Sequence, residues 1–334
     1  MTAIGGGTGL STLLRGLRRY VVSPHQPGVP CDDGPCIISE LAAVVTVTDD
    51  GGSSGRLRRG FNMLPPGDLR NCMVALSEDE HLISRLFRHR FTSGEGLEGH
   101  SFGNLFVAAL SEITGDFAQA IKLSSQVLAT RGHIYPVTTA NVSLAARMDD
   151  GEIVEGETRI TASRKHVVEL MLNPATADPL PETLEAINRA DVITVGPGSL
   201  FTSLITNLLV RGVPEALAAT KAVRVFICNL MTQANESLNL TASQHIERIY
   251  EHTRQPIFDY ALVNTAPVSQ TVLERYASES AAPIEADIDR IEALGVRCVT
   301  GNFAAEGEHL RHAADRIAQA VLRLGATGRP VHAK

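Results

Sequence analysis

Four short stretches of this chain are almost continuously apolar and rich in Val and Ile: LAAVVTVT (41–48), ADVITV (190–195), VRVFICNL (223–230) and DYALVN (259–264). A strand with one wet face alternates apolar and polar residues. These do not, so they read as strands covered on both faces, as in a parallel sheet. SLFTSLITNLLVRG (199–212) and EHLRHAADRIAQAVLRLG (308–325) carry the helical spacing, each ending at Gly. The expected fold class is therefore α/β, a mostly parallel sheet with helices on both faces. Residues 133–172 break the rhythm and read as a β-rich insertion around the DDGE turn. With 334 residues, the chain reads as one α/β domain over 1–326 and a mobile tail over 327–334. Residues 23–36, rich in Pro, Gly and Asp, read as a surface loop.

Composition narrows the function. A net charge of −7 argues against a nucleic-acid protein. No apolar run reaches the ~20 residues of a membrane span, and no signal peptide is visible. The five cysteines are odd in number and irregularly spaced, as expected of a cytoplasmic protein. Cys31 and Cys36 bracket Asp-Asp-Gly-Pro. A metal or redox pair there is the weaker reading, because no second Cys or His cluster completes it.

The start of the chain is the strongest functional signal. A short apolar lead ends in Gly5, Gly6 and Gly7, then Thr8 and Gly9, and Leu10, Leu13, Leu14 and Leu17 follow at helical spacing. Strand, tight turn and helix N-terminus in that order make a phosphate seat, with Thr8 as an added hydroxyl donor. The bland alternative is a turn that only packs a helix on the sheet. The pattern is not the dinucleotide fingerprint: from Gly5 the third glycine position is Leu10, and no acidic residue follows about 20 residues on. Nor is it a P-loop, since no Lys-Ser or Lys-Thr follows.

ADVITVGPGSLFTS repeats this logic with Gly196, Gly198 and Ser199, the serine placed to cap the next helix. Two such turns imply one crevice and a diphosphate ligand. A third loop leaves LAAVVTVT at Asp49-Asp50, followed by Ser53 and by Arg56, Arg58 and Arg59. The carboxylate pair is a candidate for Mg²⁺ or for a ribose, and an arginine for phosphate charge; the alternative is a solvated Asp-Gly turn. In LPPGDLRNCMVAL, Asp68 stands at a helix start and reads as an N-cap, with Arg70 and Asn71 in the first turn. GHSFG (99–103) has the hydrolase-elbow spacing but no buried strand before it, so it reads as a helix start capped by Ser101. His100 and Asn104 are then polar groups within reach of a ligand, or a satisfied loop pair.

Taken in order, GGGTGLSTLLRGL, AVVTVTDDGGSSGRLRR, LPPGDLRNCMVALS, GHSFGNLF, GPGSLFTSLITNLLV and NLMTQ resemble the gluconeogenesis factor family (YvcK type), which is related to 2-phospho-L-lactate transferase (CofD). The resemblance implies a Rossmann-like fold, usually dimeric. It implies a cytoplasmic bacterial protein that binds a UDP-sugar, notably UDP-N-acetylglucosamine, and supports cell shape and wall synthesis during gluconeogenic growth. It implies that both glycine turns meet nucleotide and diphosphate. Asp49 and Asp50 match the acidic loop that meets substrate or metal in the transferases, where Mg²⁺ assists transfer. In that second reading Asp49, Asp50, Arg56 and Arg70 are the catalytic candidates. A third reading is an NAD-binding protein, weakened by the missing fingerprint. The chain departs from the family pattern at 234–237, where Ala-Asn-Glu-Ser replaces Pro-Gly-Glu-Thr, and at Thr206, where proline is usual.

Overall fold

The chain enters on β1 (Thr2–Gly5), and β2 (Ala42–Val45) and β3 (His133–Pro136) add to its one side. A separate antiparallel sheet follows, made of β4 (Ser143–Met148), β5 (Ile153–Glu155) and β6 (Val167–Asn173). The main sheet resumes on the other side of β1 with β7 (Val192–Val195), β8 (Val223–Ile227), β9 (Tyr260–Asn264) and β10 (Arg297–Gly301). The order is β10-β9-β8-β7-β1-β2-β3, with every pairing parallel. This computed structural model describes all residues except 23–30, 32–35, 79–81, 164, 235, 278–279 and 329–334.

β1, β2, β7 and β8 are buried at every position, which is why their sequences do not alternate. Helices cover both faces. Strand order reverses between β1 and β7, and α/β sheets bind ligands in the crevice at such a point, beyond the strand C-termini. At the opposite end, Arg224 and Asp259 pair inside the core: Arg224 donates from Nε and Nη2 to the carboxylate at 2.9 and 2.8 Å, and Asp259 is 0% exposed. No helix among the described residues is long and apolar enough to cross a membrane.

Several expectations need correction. The insertion sheet begins at Ser143, not 133, because His133–Pro136 pairs with β2 as the edge of the main sheet. The expected helix 308–325 starts at Ala314. Residues 311–312 form β12 (Arg311–His312) of a ribbon with β11 (Ala304–Ala305), held there because His312 Nε2 bonds the Cys228 carbonyl at 3.0 Å. That helix also runs through Gly325 to Thr327. A Cβ at Gly325 would stand 2.6 Å from Val192, so this glycine serves close packing against β7 rather than a stop. The expected helix 199–212 is a wide π-helical turn, Leu200–Ile205, then a short α-turn, Thr206–Leu208. Gly212 opens the next helix, Val213–Ala219, instead of closing this one. Cys31 and Cys36 form a disulfide, so the pairing set down as the weaker reading is present, with their Cα atoms 5.3 Å apart. A bridge between Val21 and Ile38 joins the two arms that lead to them. Most of loop 23–36 and of tail 327–334 lies outside the described residues.

Candidate functional site

The first glycine turn leaves β1 and starts the helix Gly7–Leu17. Gly7 has φ +60, a left-handed conformation that L side chains rarely adopt. Gly9 is required for a different reason: a Cβ there would lie 2.3 Å from the Pro197 carbonyl oxygen. The first turn therefore packs directly on the second. Together they wall a cleft of about 820 Å³ that takes in Gly6, Gly7, Thr8, Gly9, Asp49, Gly198 and Ser199. The single crevice expected from two glycine turns is present; Gly5 and Gly196 lie just beneath it in buried backbone.

The second turn is dressed by side chains from the end of β8. Asn229 Oδ1 accepts from the Gly198 N–H at 3.2 Å, and its amide donates to the Gly198 carbonyl at 2.7 Å. Gln233 donates to Ser199 Oγ at 3.0 Å, and Ser199 makes no side-chain cap to the helix it precedes. Glu236 takes that place: its carboxylate accepts from the Phe201 N–H at 3.3 Å and from Thr202 Oγ1 at 2.8 Å. Burial pushes the Glu236 carboxyl above its ordinary range, against these hydrogen bonds. Glu236 is the residue that the altered 234–237 segment retains from the family pattern.

Carboxylates line the other side. Asp49 faces the cleft and accepts from the Gly51 N–H at 2.9 Å. Asp50 does not line it; the N–H and hydroxyl of Thr158, on the insertion, hold its carboxylate. Glu157, next to Thr158, does enter the cleft and accepts from Thr48 Oγ1 at 3.0 Å. Burial and the charges of Asp68 and Asp49 raise its carboxyl well above the usual range. Asp68 is not the N-cap of its helix, Gly67–Leu76; Pro66 occupies that position. Its carboxylate instead turns toward the first glycine turn, where a Cβ on Gly6 would stand 2.9 Å from Oδ2. Burial and the Asp49 charge raise it to about 6, opposed by the Gly7 backbone and Arg70.

Ser53, His100 and Asn104 come together, but in a buried knot off the cleft wall. Ser53 Oγ accepts from the Asn104 amide at 3.2 Å and the Ser101 N–H at 3.4 Å, and lies 3.0 Å from His100 Nδ1. With its lone pairs filled, Ser53 donates to Nδ1, leaving His100 neutral with its proton on Nε2. Burial and the cations Arg56 and Arg90 lower the His100 pKa, in agreement. Ser101 precedes the helix Phe102–Thr114 without capping it; its hydroxyl donates to the Phe87 carbonyl. Arg70 is spent on Phe87, Ser101 and Asn71, and Arg56 on the Glu98 carbonyl. Neither arginine lines the cleft.

A second stretch of the cleft lining was not legible in the sequence. Tyr276, His309, Leu310, Arg311 and His312 line it together with Leu230 and Met231. Leu230, Met231, Val272 and Leu310 form a small apolar cluster apart from the main core. Burial pushes His312 down to about 4, so it stays neutral. Among the described residues, no group of three or more His, Cys, Asp or Glu is arranged to hold a metal ion.

A parallel sheet with a crevice at its switch point defines a doubly wound, ligand-binding type of α/β protein. The comparisons carry this further. The family model of 2-phospho-L-lactate transferase CofD matches residues 1–304. The gluconeogenesis factor of Halalkalibacterium halodurans is 46% identical over 323 residues, spanning 96% of this chain and 95% of that one. The gluconeogenesis factor of Bacillus subtilis is 41% identical over 321 residues, spanning 96% of each. A crystal structure of a Bacillus halodurans protein superposes with a TM-score of 0.88 at 45% identity, covering 96% of this chain and 98% of that one. The chain belongs to the CofD family, and both of these relatives carry the name gluconeogenesis factor.

Proposed function

We propose that this chain binds a nucleotide sugar, with UDP-N-acetylglucosamine as the favoured ligand, and acts as a cytoplasmic regulatory factor for cell shape and wall synthesis during gluconeogenic growth. The observation that carries the reading is the mixed lining of one cleft. The Gly6-Gly7-Thr8 turn offers backbone for a phosphate. Tyr276, Leu230, Met231, Leu310 and Arg311 add an aromatic ring, apolar surface and a cation. A diphosphate carrying organic groups matches that lining. A homodimer belongs to the same proposal. NAD is the weaker ligand, since the sequence lacks the acid that would hold its adenosine ribose.

The family name favours a second reading, a transferase acting on a nucleotide diphosphate with Mg²⁺. Magnesium is held by one or two carboxylates plus phosphate oxygens. Asp49 and Asp68 are the carboxylates placed to share in that; Asp50 is engaged by Thr158. Bound Mg²⁺ would supply charge neutralisation at the phosphates.

The test is a melting titration with UDP-N-acetylglucosamine and NAD, followed by native mass spectrometry. A ligand at 100 times its Kd adds about 2.7 kcal/mol. The proposal expects a larger rise for UDP-N-acetylglucosamine. A response to NAD with none to any UDP-sugar overturns it. Mg²⁺-dependent release of nucleoside monophosphate replaces it with the transferase reading.

A further inference from the structure

Both glycine turns open helical segments, and the first N–H groups of a helix lack intrahelical partners and suit an anion. In this structure a carboxylate of the chain itself already stands at each such seat. Glu236 sits at the second, on Phe201 N–H and Thr202 Oγ1. Asp68 sits beside the first, lining the cleft with Gly6, Gly7 and Thr8. Its Oδ2 lies so near the turn that a Cβ on Gly6 would stand 2.9 Å from it.

The two carboxylates differ in how firmly they are held. Glu236 is 6% exposed and tied to two donors. Moving it would strand both. Asp68 faces the open cleft, and a like charge, Asp49, presses on it. The nearest cation, Arg70, is committed to Phe87, Ser101 and Asn71.

We propose that Asp68 is a displaceable stand-in for the ligand's phosphate at the first glycine turn, and that it makes the cleft select diphosphates capped at both ends over those with a free terminal phosphate. The inference rests on the nucleotide-diphosphate reading above. Any phosphate entering the Gly7 seat displaces Asp68 but remains near it and near Asp49. A capped diphosphate carries one negative charge on each phosphate. A terminal phosphate carries more, and like-charge repulsion in a part-buried site grows with each added charge. Asp68 and Asp49 therefore tolerate a nucleotide sugar and penalise the free nucleoside diphosphate that differs from it only by the missing sugar. Asp68 is the one of the two that also competes for the seat itself.

The experiment is calorimetry of the full chain in chelator, with UDP-N-acetylglucosamine, UDP and inorganic pyrophosphate as probes, on wild type and Asp68→Asn. Wild type is expected to prefer UDP-N-acetylglucosamine. In Asp68→Asn, UDP and pyrophosphate should tighten at least tenfold, and the gap between the two nucleotides should narrow. The ligand-free variant should also melt higher than wild type, whereas loss of a merely structural residue would lower the melting temperature. If Asp68→Asn does not fold, Asp68→Ser carries the same expectations. Unchanged or weaker UDP and pyrophosphate binding overturns the proposal. If neither protein binds any nucleotide, the ligand reading fails by itself, and the pyrophosphate arm still decides the role of Asp68.

Discussion

Gly9 and Pro197 meet backbone to backbone: a Cβ on the glycine would stand 2.3 Å from the proline carbonyl oxygen. Residues almost two hundred positions apart thus lock the two turns together. Gly9→Ala must push the second turn away, and overpacking of this kind costs roughly 1–3 kcal/mol. Gly7→Ala meets open space, with Ser203 Oγ 4.0 Å off, and bears only the left-handed backbone cost, about 1–2 kcal/mol. Thermal melts should place both below wild type. Nucleotide binding should fall more for Gly9→Ala, because the wall of the cleft moves. Equal binding in the two variants would show that the contact between the turns does not shape the site.

Asp68 should make stability depend on pH in an unusual direction. Its carboxyl is raised from 3.8 to about 6 in the folded chain. A raised carboxyl holds its proton better when folded, so its contribution is fully present below pH 4 and lost as pH rises through about 6. The loss at neutral pH is roughly 3 kcal/mol at 1.36 kcal/mol per pH unit. Asp68→Asn should therefore melt above wild type at pH 7.5, and the gap should close on acidification toward pH 4. Parallel pH profiles for the two proteins would rule this out.

Glu236 predicts the opposite response. Glu236→Ala strands the Phe201 N–H and the Thr202 hydroxyl in a buried helix start. Each orphaned group costs about 1–3 kcal/mol. The variant should melt several degrees lower, since ~1 kcal/mol moves a domain of 150–250 residues by roughly 2–4 °C. A melting temperature equal to that of wild type would mean the carboxylate holds nothing.

The Arg224–Asp259 pair lies at the other end of the sheet from the cleft. Asp259→Ala leaves a guanidinium that is 4% exposed without its partner, which typically costs 3–5 kcal/mol. Denaturant midpoints should drop sharply, while the nucleotide Kd of the folded fraction should stay within about twofold.

The sheet and the near wall of the cleft were readable because their signals are local. Continuous Val- and Ile-rich runs mark β2, β7, β8 and β9, and the glycine turn announces itself in seven residues. Asp68 was misread because a carboxylate at a helix start has the same local signature whether it caps its own helix or reaches another. Only the fold brings Gly7 within its reach. Glu157 gave no signal at all, since it arrives from the insertion. Tyr276 and the 309–312 stretch were hidden by distance along the chain, and 308–313 by a helical pattern that the His312–Cys228 bond overrides. Arg56, Arg70, Ser53, His100 and Asn104 have the residue types of a ligand site. The fold commits those arginines to backbone and neighbouring side chains, and the other three to one another.

The helix that follows the ribbon lies against the helix that begins at the glycine turn, so closely that a Cβ on Gly16 would stand 2.2 Å from the Ala314 carbonyl oxygen. Arg311 and His312 come immediately before one of these helices, and Gly7 begins the other. The two stretches of cleft lining are thus held together behind the cleft by a helix–helix contact with no slack: a side chain added at Gly16 would push one against the other.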